Sequence, residues 1–82
     1  MIEVRYRVYG PLRDIVRCDE LALQVPPPCT GEAAFDVLAD AFPPIRAWRP
    51  SLRLAVNLCY VPFEVALNEG DEISFLPPVS GG

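Results

Sequence analysis

Ten prolines stand in this 82-residue chain, gathered at 26–28, 43–44 and 77–78 with single ones at 11, 50 and 62. Proline has no backbone donor and a fixed φ, so it ends the strand or helix that reaches it. The clusters therefore act as punctuation, and every element must be short. Ile2, Val4, Tyr6 and Val8 alternate with Glu3, Arg5, Arg7 and Tyr9, the period-2 pattern of a half-buried strand. Gly10-Pro11 stops it. Leu12–Val16 has room for about a helical turn before Leu21, Leu23 and Val25 resume alternation up to the triple proline.

Thr30 offers an N-cap hydroxyl, Glu32 places an acid in the first helical turn, and Ala34, Val37, Leu38, Ala41 and Phe42 recur at helical spacing. One amphipathic helix over 31–42 is predicted, ended by Pro43-Pro44. Residues 45–51 read as a loop, with Trp48 either a lid over the core or a partner contact. Leu52, Leu54, Val56, Leu58 and Tyr60 read as one face of a third strand, broken at Pro62. Asn68-Glu69-Gly70-Asp71 reads as a turn whose glycine takes positive φ. In the last strand, Glu72–Leu76, Ile73 and Phe75 share one face and Leu76 points the other way. This order predicts an α+β unit, a sheet covered on one face by a single helix, with the other face open to a partner.

The zeros in the composition exclude much chemistry. There is no histidine and all seven basic residues are arginine, so no imidazole base, Schiff-base amine, P-loop lysine or histidine-bearing zinc site is available. Cys18, Cys29 and Cys59 are odd in number and form no C-x-x-C pair, which suggests neither a disulfide framework nor a zinc knuckle and fits a reducing cytoplasm. Without a neighbouring His or Lys to activate them, they read as incidental thiols rather than persulfide carriers. The net charge of −4 opposes a nucleic-acid partner. Residues 1–17 carry four arginines against two acids, while Glu64, Glu69, Asp71 and Glu72 gather near the end. Those acids would steer a basic partner or simply solvate a loop. The chain opens without a basic segment followed by an apolar one, and no apolar run reaches membrane length, so neither export nor a membrane association is expected.

Beyond a body of residues 1–76 lies a tail, 77–82. Pro77-Pro78 makes a stiff stem that loses little entropy on docking. Gly81-Gly82 carries no Cβ, so the terminal carboxylate sits on a thread narrow enough for a tunnel. Six residues reach roughly 20 Å from the body. In a chain without catalytic side chains, the reactive group becomes the main chain itself.

The run Gly70-Asp71-Glu72-Ile73-Ser74-Phe75-Leu76-Pro77-Pro78-Val79-Ser80-Gly81-Gly82 resembles the ending of the small, ubiquitin-like subunit of molybdopterin synthase, the MoaD family. Leu12-Arg13-Asp14, Ala55-Val56-Asn57 and Tyr60-Val61 add modest matches, so the likeness runs nearly end to end. The chain departs from the commoner pattern at Pro26-Pro27-Pro28, in the proline-rich 43–50 segment and at Leu58-Cys59. The resemblance implies a β-grasp fold, a mixed sheet with one main helix on one face and a flexible C-terminal Gly-Gly tail. It implies a sulfur carrier whose Gly82, preceded by Gly81, is adenylated by an E1-like enzyme that uses ATP and is converted to a thiocarboxylate. Leu76, Pro77, Pro78, Val79 and Ser80 would contact the large synthase subunit, in a heterotetramer of two small and two large subunits. There the sulfur would pass to cyclic pyranopterin monophosphate to build the molybdopterin dithiolene. The chain itself would then bind no cofactor or metal and would be a non-catalytic donor subunit. A carrier similar to the thiazole-pathway protein ThiS, a protein modifier joined through Gly82, and a plain interaction domain are the alternatives. The missing lysines would keep an activated terminus from acylating its own surface, or reflect composition bias alone.

Overall fold

A computed structural model describes residues 1–78. The elements are β1 (Ile2–Val8), α1 (Pro11–Val16), β2 (Glu20–Val25), α2 (Gly31–Ala41), a 3₁₀ helix (Pro43–Ser51), β3 (Arg53–Val56), β4 (Cys59–Val61) and β5 (Glu72–Leu76). The five strands form one mixed sheet in the order β2-β1-β5-β3-β4. β5 enters its middle, parallel to β1 through Tyr6↔Ile73 and Val8↔Phe75 and antiparallel to β3 through Leu54↔Phe75. Alternation sorts the residues as expected: Val4, Tyr6, Val8, Ile73 and Phe75 are buried in the core, while Arg5, Arg7 and Glu72 face outward.

Helix α2 starts where the sequence places it. Thr30 is its N-cap, and its hydroxyl accepts the Ala33 amide at 3.1 Å. The buried stripe is Ala34, Phe35, Leu38 and Ala39. Phe35 and Ala39 thus take the place expected for Ala41, which is exposed two residues before Pro43. The core centres on Phe75, with Phe35 edge-on at 5.4 Å, Phe63 stacked at 6.0 Å and Tyr6 tilted at 6.0 Å. The Tyr6 hydroxyl donates to the Ala34 carbonyl at 2.7 Å, tying β1 to α2. Burial pushes that phenol's pKa up.

Two expectations are corrected. Residues 43–51 are a 3₁₀ helix rather than a loop, because Ile45 is fully buried and Trp48 packs on the core edge as a lid, drawing the backbone into tight turns. The predicted single strand 52–60 is a hairpin. Asn57 and Leu58 both take positive φ, 49° and 73°, the geometry of a two-residue turn that matches strand twist. Reversal pairs Ala55 with Tyr60 and Val56 with Cys59, so Tyr60 leaves the face of Leu54 for the outer one. The turn is held from outside: the Asn57 Oδ1 accepts the Glu72 amide at 3.2 Å and its Nδ2 donates to Asp71 at 3.2 Å.

Arg49 joins three parts of the molecule. Its guanidinium lies 3.4 Å above the Phe63 ring and donates to both Glu32 oxygens, at 2.6 and 3.1 Å. Those hydrogen bonds hold the Glu32 carboxyl below the usual carboxylate range. Arg49→Ala is expected to lower stability by about 1–2 kcal/mol in denaturant titration, with Arg49→Lys recovering little because an ammonium cannot reproduce the planar fork. A folded-state pKa that is depressed contributes stability above the unfolded value and loses it as pH falls. The stability gap between wild type and Glu32→Gln, a few tenths of a kcal/mol at this half-exposed pair, should therefore close below about pH 4.

Candidate functional site: the outer sheet face and the stem

The outer face of the sheet has two halves. Over β2 and β1 it is charged, with Arg5 bonded to Glu20 at 2.7 Å and Arg7 lying 3.8 Å from Glu20 and 3.5 Å from Glu72. Across β5, β3 and β4 it turns apolar. Tyr9, Ala55, Leu58, Tyr60, Ser74 and Leu76 surround a shallow depression of about 220 Å³. Leu58 is 93% and Tyr60 69% exposed. The turn leaves Leu58 no core contact and hairpin parity turns Tyr60 outward, so water faces large apolar groups that no packing need of the fold explains.

Leu76 lies on this face as expected. It is half-buried, in register with Arg53 and opposite in direction to the fully buried Ile73 and Phe75. Arg53 sits 6.0 Å over the Tyr60 ring and, among the described residues, has no carboxylate within salt-bridge distance. Pro77 and Pro78 continue from Leu76 along a groove of about 1100 Å³ between the β1–α1 corner and the end of the 3₁₀ helix. Val79, Ser80, Gly81 and Gly82 lie outside the described residues. The structure thus brings Leu76, Pro77 and Pro78 to one edge of the apolar half-face. It adds Tyr9, Ala55, Leu58 and Tyr60, of which Tyr9 was readable as outward from the alternation of β1 and Ala55 from its place opposite Leu54.

The other candidates separate from this edge. Cys18 and Cys59 are exposed, and Cys29 is half-buried with its Sγ 3.6 Å from the Val25 carbonyl. The acids near the end of the chain serve the fold: Asp71 accepts the Asn68 amide at 2.8 Å, Glu69 accepts the Glu3 amide at 3.1 Å, and Glu72 faces Arg7. Gly70 takes the expected positive φ, 83°, inside that turn. Among the described residues no three His, Cys, Asp or Glu side chains converge as a metal-binding group, and no helix is long and apolar enough to cross a membrane.

A five-stranded mixed sheet with its last strand central, one long helix across its inner face and a proline stem leaving the middle of the sheet defines a ubiquitin-like β-grasp protein. The ThiS family model matches residues 6–82, and the chain belongs to that family. Two relatives, each named molybdopterin synthase sulfur carrier subunit, span nearly the whole chain. The one from Mycobacterium tuberculosis is 31% identical and covers 100% of both chains, and the one from Arabidopsis thaliana is 27% identical over 99% of this chain and 84% of its own. Among solved structures, small archaeal modifier protein 1 from Methanosarcina acetivorans superposes with a TM-score of 0.87 at 25% identity, covering 100% of this chain and 98% of that one. A chain of the protein–protein complex of subunits 1 and 2 of the molybdopterin-converting factor from Helicobacter pylori gives a TM-score of 0.69 at 22% identity, covering 99% of this chain and 100% of that one.

Proposed function

We propose that this chain is the sulfur-carrier subunit of a cytoplasmic molybdopterin synthase. The observation that carries the reading is the junction of β5 with the stem: the central strand ends in Leu76 on an exposed apolar half-face, and the chain leaves from there into Pro77-Pro78. The full-length relatives named for that role support it. Gly82 is the reacting residue. Its carboxylate is a poor electrophile, so an E1-like enzyme converts it with ATP to an acyl adenylate. A sulfur nucleophile then displaces AMP and leaves a thiocarboxylate. The large subunit receives the tail, with Gly81 passing where a side chain would clash and Leu76 to Ser80 lying against its surface. The large subunit also supplies the catalytic side chains, in an assembly of two small and two large subunits. Each sulfur delivered to cyclic pyranopterin monophosphate returns Gly82 to a carboxylate, with water supplying the oxygen. The chain holds no cofactor of its own in this scheme.

Intact mass spectrometry of protein from its native host tests the reading. A C-terminal peptide heavier by the exchange of one oxygen for sulfur is expected, and a terminus that is always a plain carboxylate, even with the activating enzyme present, sinks it. The likeness to small archaeal modifier protein 1 favours a second reading, conjugation through Gly82 to target lysines. An isopeptide-linked Gly82 in the same sample would identify it.

A thiol route is expected to fail. Replacing Cys18, Cys29 and Cys59 together by Ala should leave transfer from preformed thiocarboxylate within a few-fold of wild type at matched folded fraction. Of the three, Cys29 rather than Cys59 should cost stability, since Cys59 opens the edge strand β4 and is exposed there. A folded, thiocarboxylated and assembled triple mutant that transfers no sulfur would make a thiol part of the route.

A further inference from the structure

β1 and β5 run parallel side by side, and Val8 pairs with Phe75, so the two segments leave the sheet together at the same end. One must turn away for the other to continue. Gly10 makes that turn with φ 57° and ψ −135°, a conformation open to glycine and closed to residues with a Cβ. The corner is fixed on both sides, since Val8 and Leu12 are buried and the Gly10 carbonyl accepts the Arg13 amide at 3.0 Å. Against this corner lies the first ring of the stem. A Cβ built on Gly10 would stand 3.6 Å from the Pro77 Cγ, ordinary contact distance. Space therefore does not exclude a side chain at position 10, whereas the backbone conformation does. Any other residue has to move the corner on which Pro77 leans.

We infer that Gly10 is a positioning residue for sulfur delivery: the β1–α1 corner is a seat that sets the direction in which the Pro77-Pro78 stem leaves the body. The inference rests on the sulfur-carrier reading. A stiff stem aimed by a fixed corner delivers its tip to a narrower volume than a free thread does. Small errors of aim at a reacting atom are costly, with 1 Å of misplacement reaching about a hundredfold in rate. Gly10 touches neither substrate nor partner chemistry and acts through Pro77.

The test uses thiocarboxylated full-length chain with the large subunit and cyclic pyranopterin monophosphate, comparing wild type, Gly10→Ala and Pro77→Ala. Both variants are expected to lower the single-turnover rate at saturating large subunit on the order of tenfold, and Gly10→Ala, outside the surface proposed to meet that subunit, should keep its affinity within about threefold. In the free wild-type chain, NMR should show a cross-peak between Gly10 Hα and the Pro77 ring, and Gly10→Ala should abolish it and shift the Pro77 and Pro78 signals with β-sheet signals in place. Full rate in a folded Gly10→Ala chain, or a loss carried wholly by affinity, overturns the inference. If Gly10→Ala does not fold, Pro77→Ala decides by rate alone at saturating large subunit, and full rate there overturns the inference. The NMR arm needs no sulfur chemistry: a missing Gly10–Pro77 cross-peak overturns the seat and leaves the sulfur reading standing, while a wild-type thiocarboxylate that transfers nothing overturns both.

Discussion

Deleting Gly82, or replacing Gly81 by a bulky residue such as Phe, should abolish sulfur transfer while leaving thermal unfolding unchanged. The body needs neither residue, because β5 ends at Leu76 and its pairing to β1 and β3 is complete by then. The chemistry as proposed needs both. Gly82 is the acyl group that carries the sulfur, and its loss puts Gly81 one residue, about 3.3 Å, short of the reacting position. A side chain at 81 widens the thread where a tunnel leaves no room. The assay is product formation with wild-type thiocarboxylate as control, and normal molybdopterin formation by the shortened chain would end the main-chain mechanism.

Leu76→Asp should cost partner affinity far more than stability. Leu76 faces outward between Tyr9, Tyr60 and Ser74, so an aspartate there remains hydrated in the free protein. In the complex it becomes an unpaired charge against an apolar surface, at a cost of about 3–5 kcal/mol, or roughly a hundredfold to several thousandfold in Kd. Leu58→Asp is the companion: at 93% exposure the residue has no packing to lose, so a loss of affinity there reports contact alone. Binding titration and thermal melts on the same samples separate the two effects. A collapsed melting temperature with unchanged affinity would show Leu76 to be part of the core.

How much of this was legible beforehand depended on whether a residue's role is local. Strands β1, β2 and β5 follow from alternation, and α2 from Thr30 and the Pro43-Pro44 stop, since burial on one face and capping are decided within a few residues of chain. The outward direction of Leu76 follows from parity in the same way. The hairpin did not show, because Leu52 to Tyr60 alternate without interruption and Leu58 occupies a positive-φ position where glycine is the usual signal. That one miss hid half the apolar face, as Tyr60 changes side only once the chain reverses. Gly31 was equally silent. Its place at the start of α2 looks like any helix terminus, yet a Cβ there would collide with the Leu54 side chain and stand 2.9 Å from the Phe63 carbonyl. Such close approaches join segments more than twenty residues apart, and no window on the sequence contains both. Arg49 is a further case, an ordinary arginine in a proline-rich stretch until folding sets it on Phe63.

The central position of β5 also bears on synthesis. Strand order β2-β1-β5-β3-β4 means that, among the described residues, 72–76 are the one strand that joins the two hairpins within the sheet, and Arg5 waits for Glu72 before the parallel pairing can begin. A nascent chain still lacking residues 72–76 holds two ribbons with no strand pairing between them, each too small to be stable alone. The sheet closes only once residues 72–76 are free to pair, so a product truncated before β5 cannot join its two ribbons. The order of the strands makes the arrival of β5 a condition of folding.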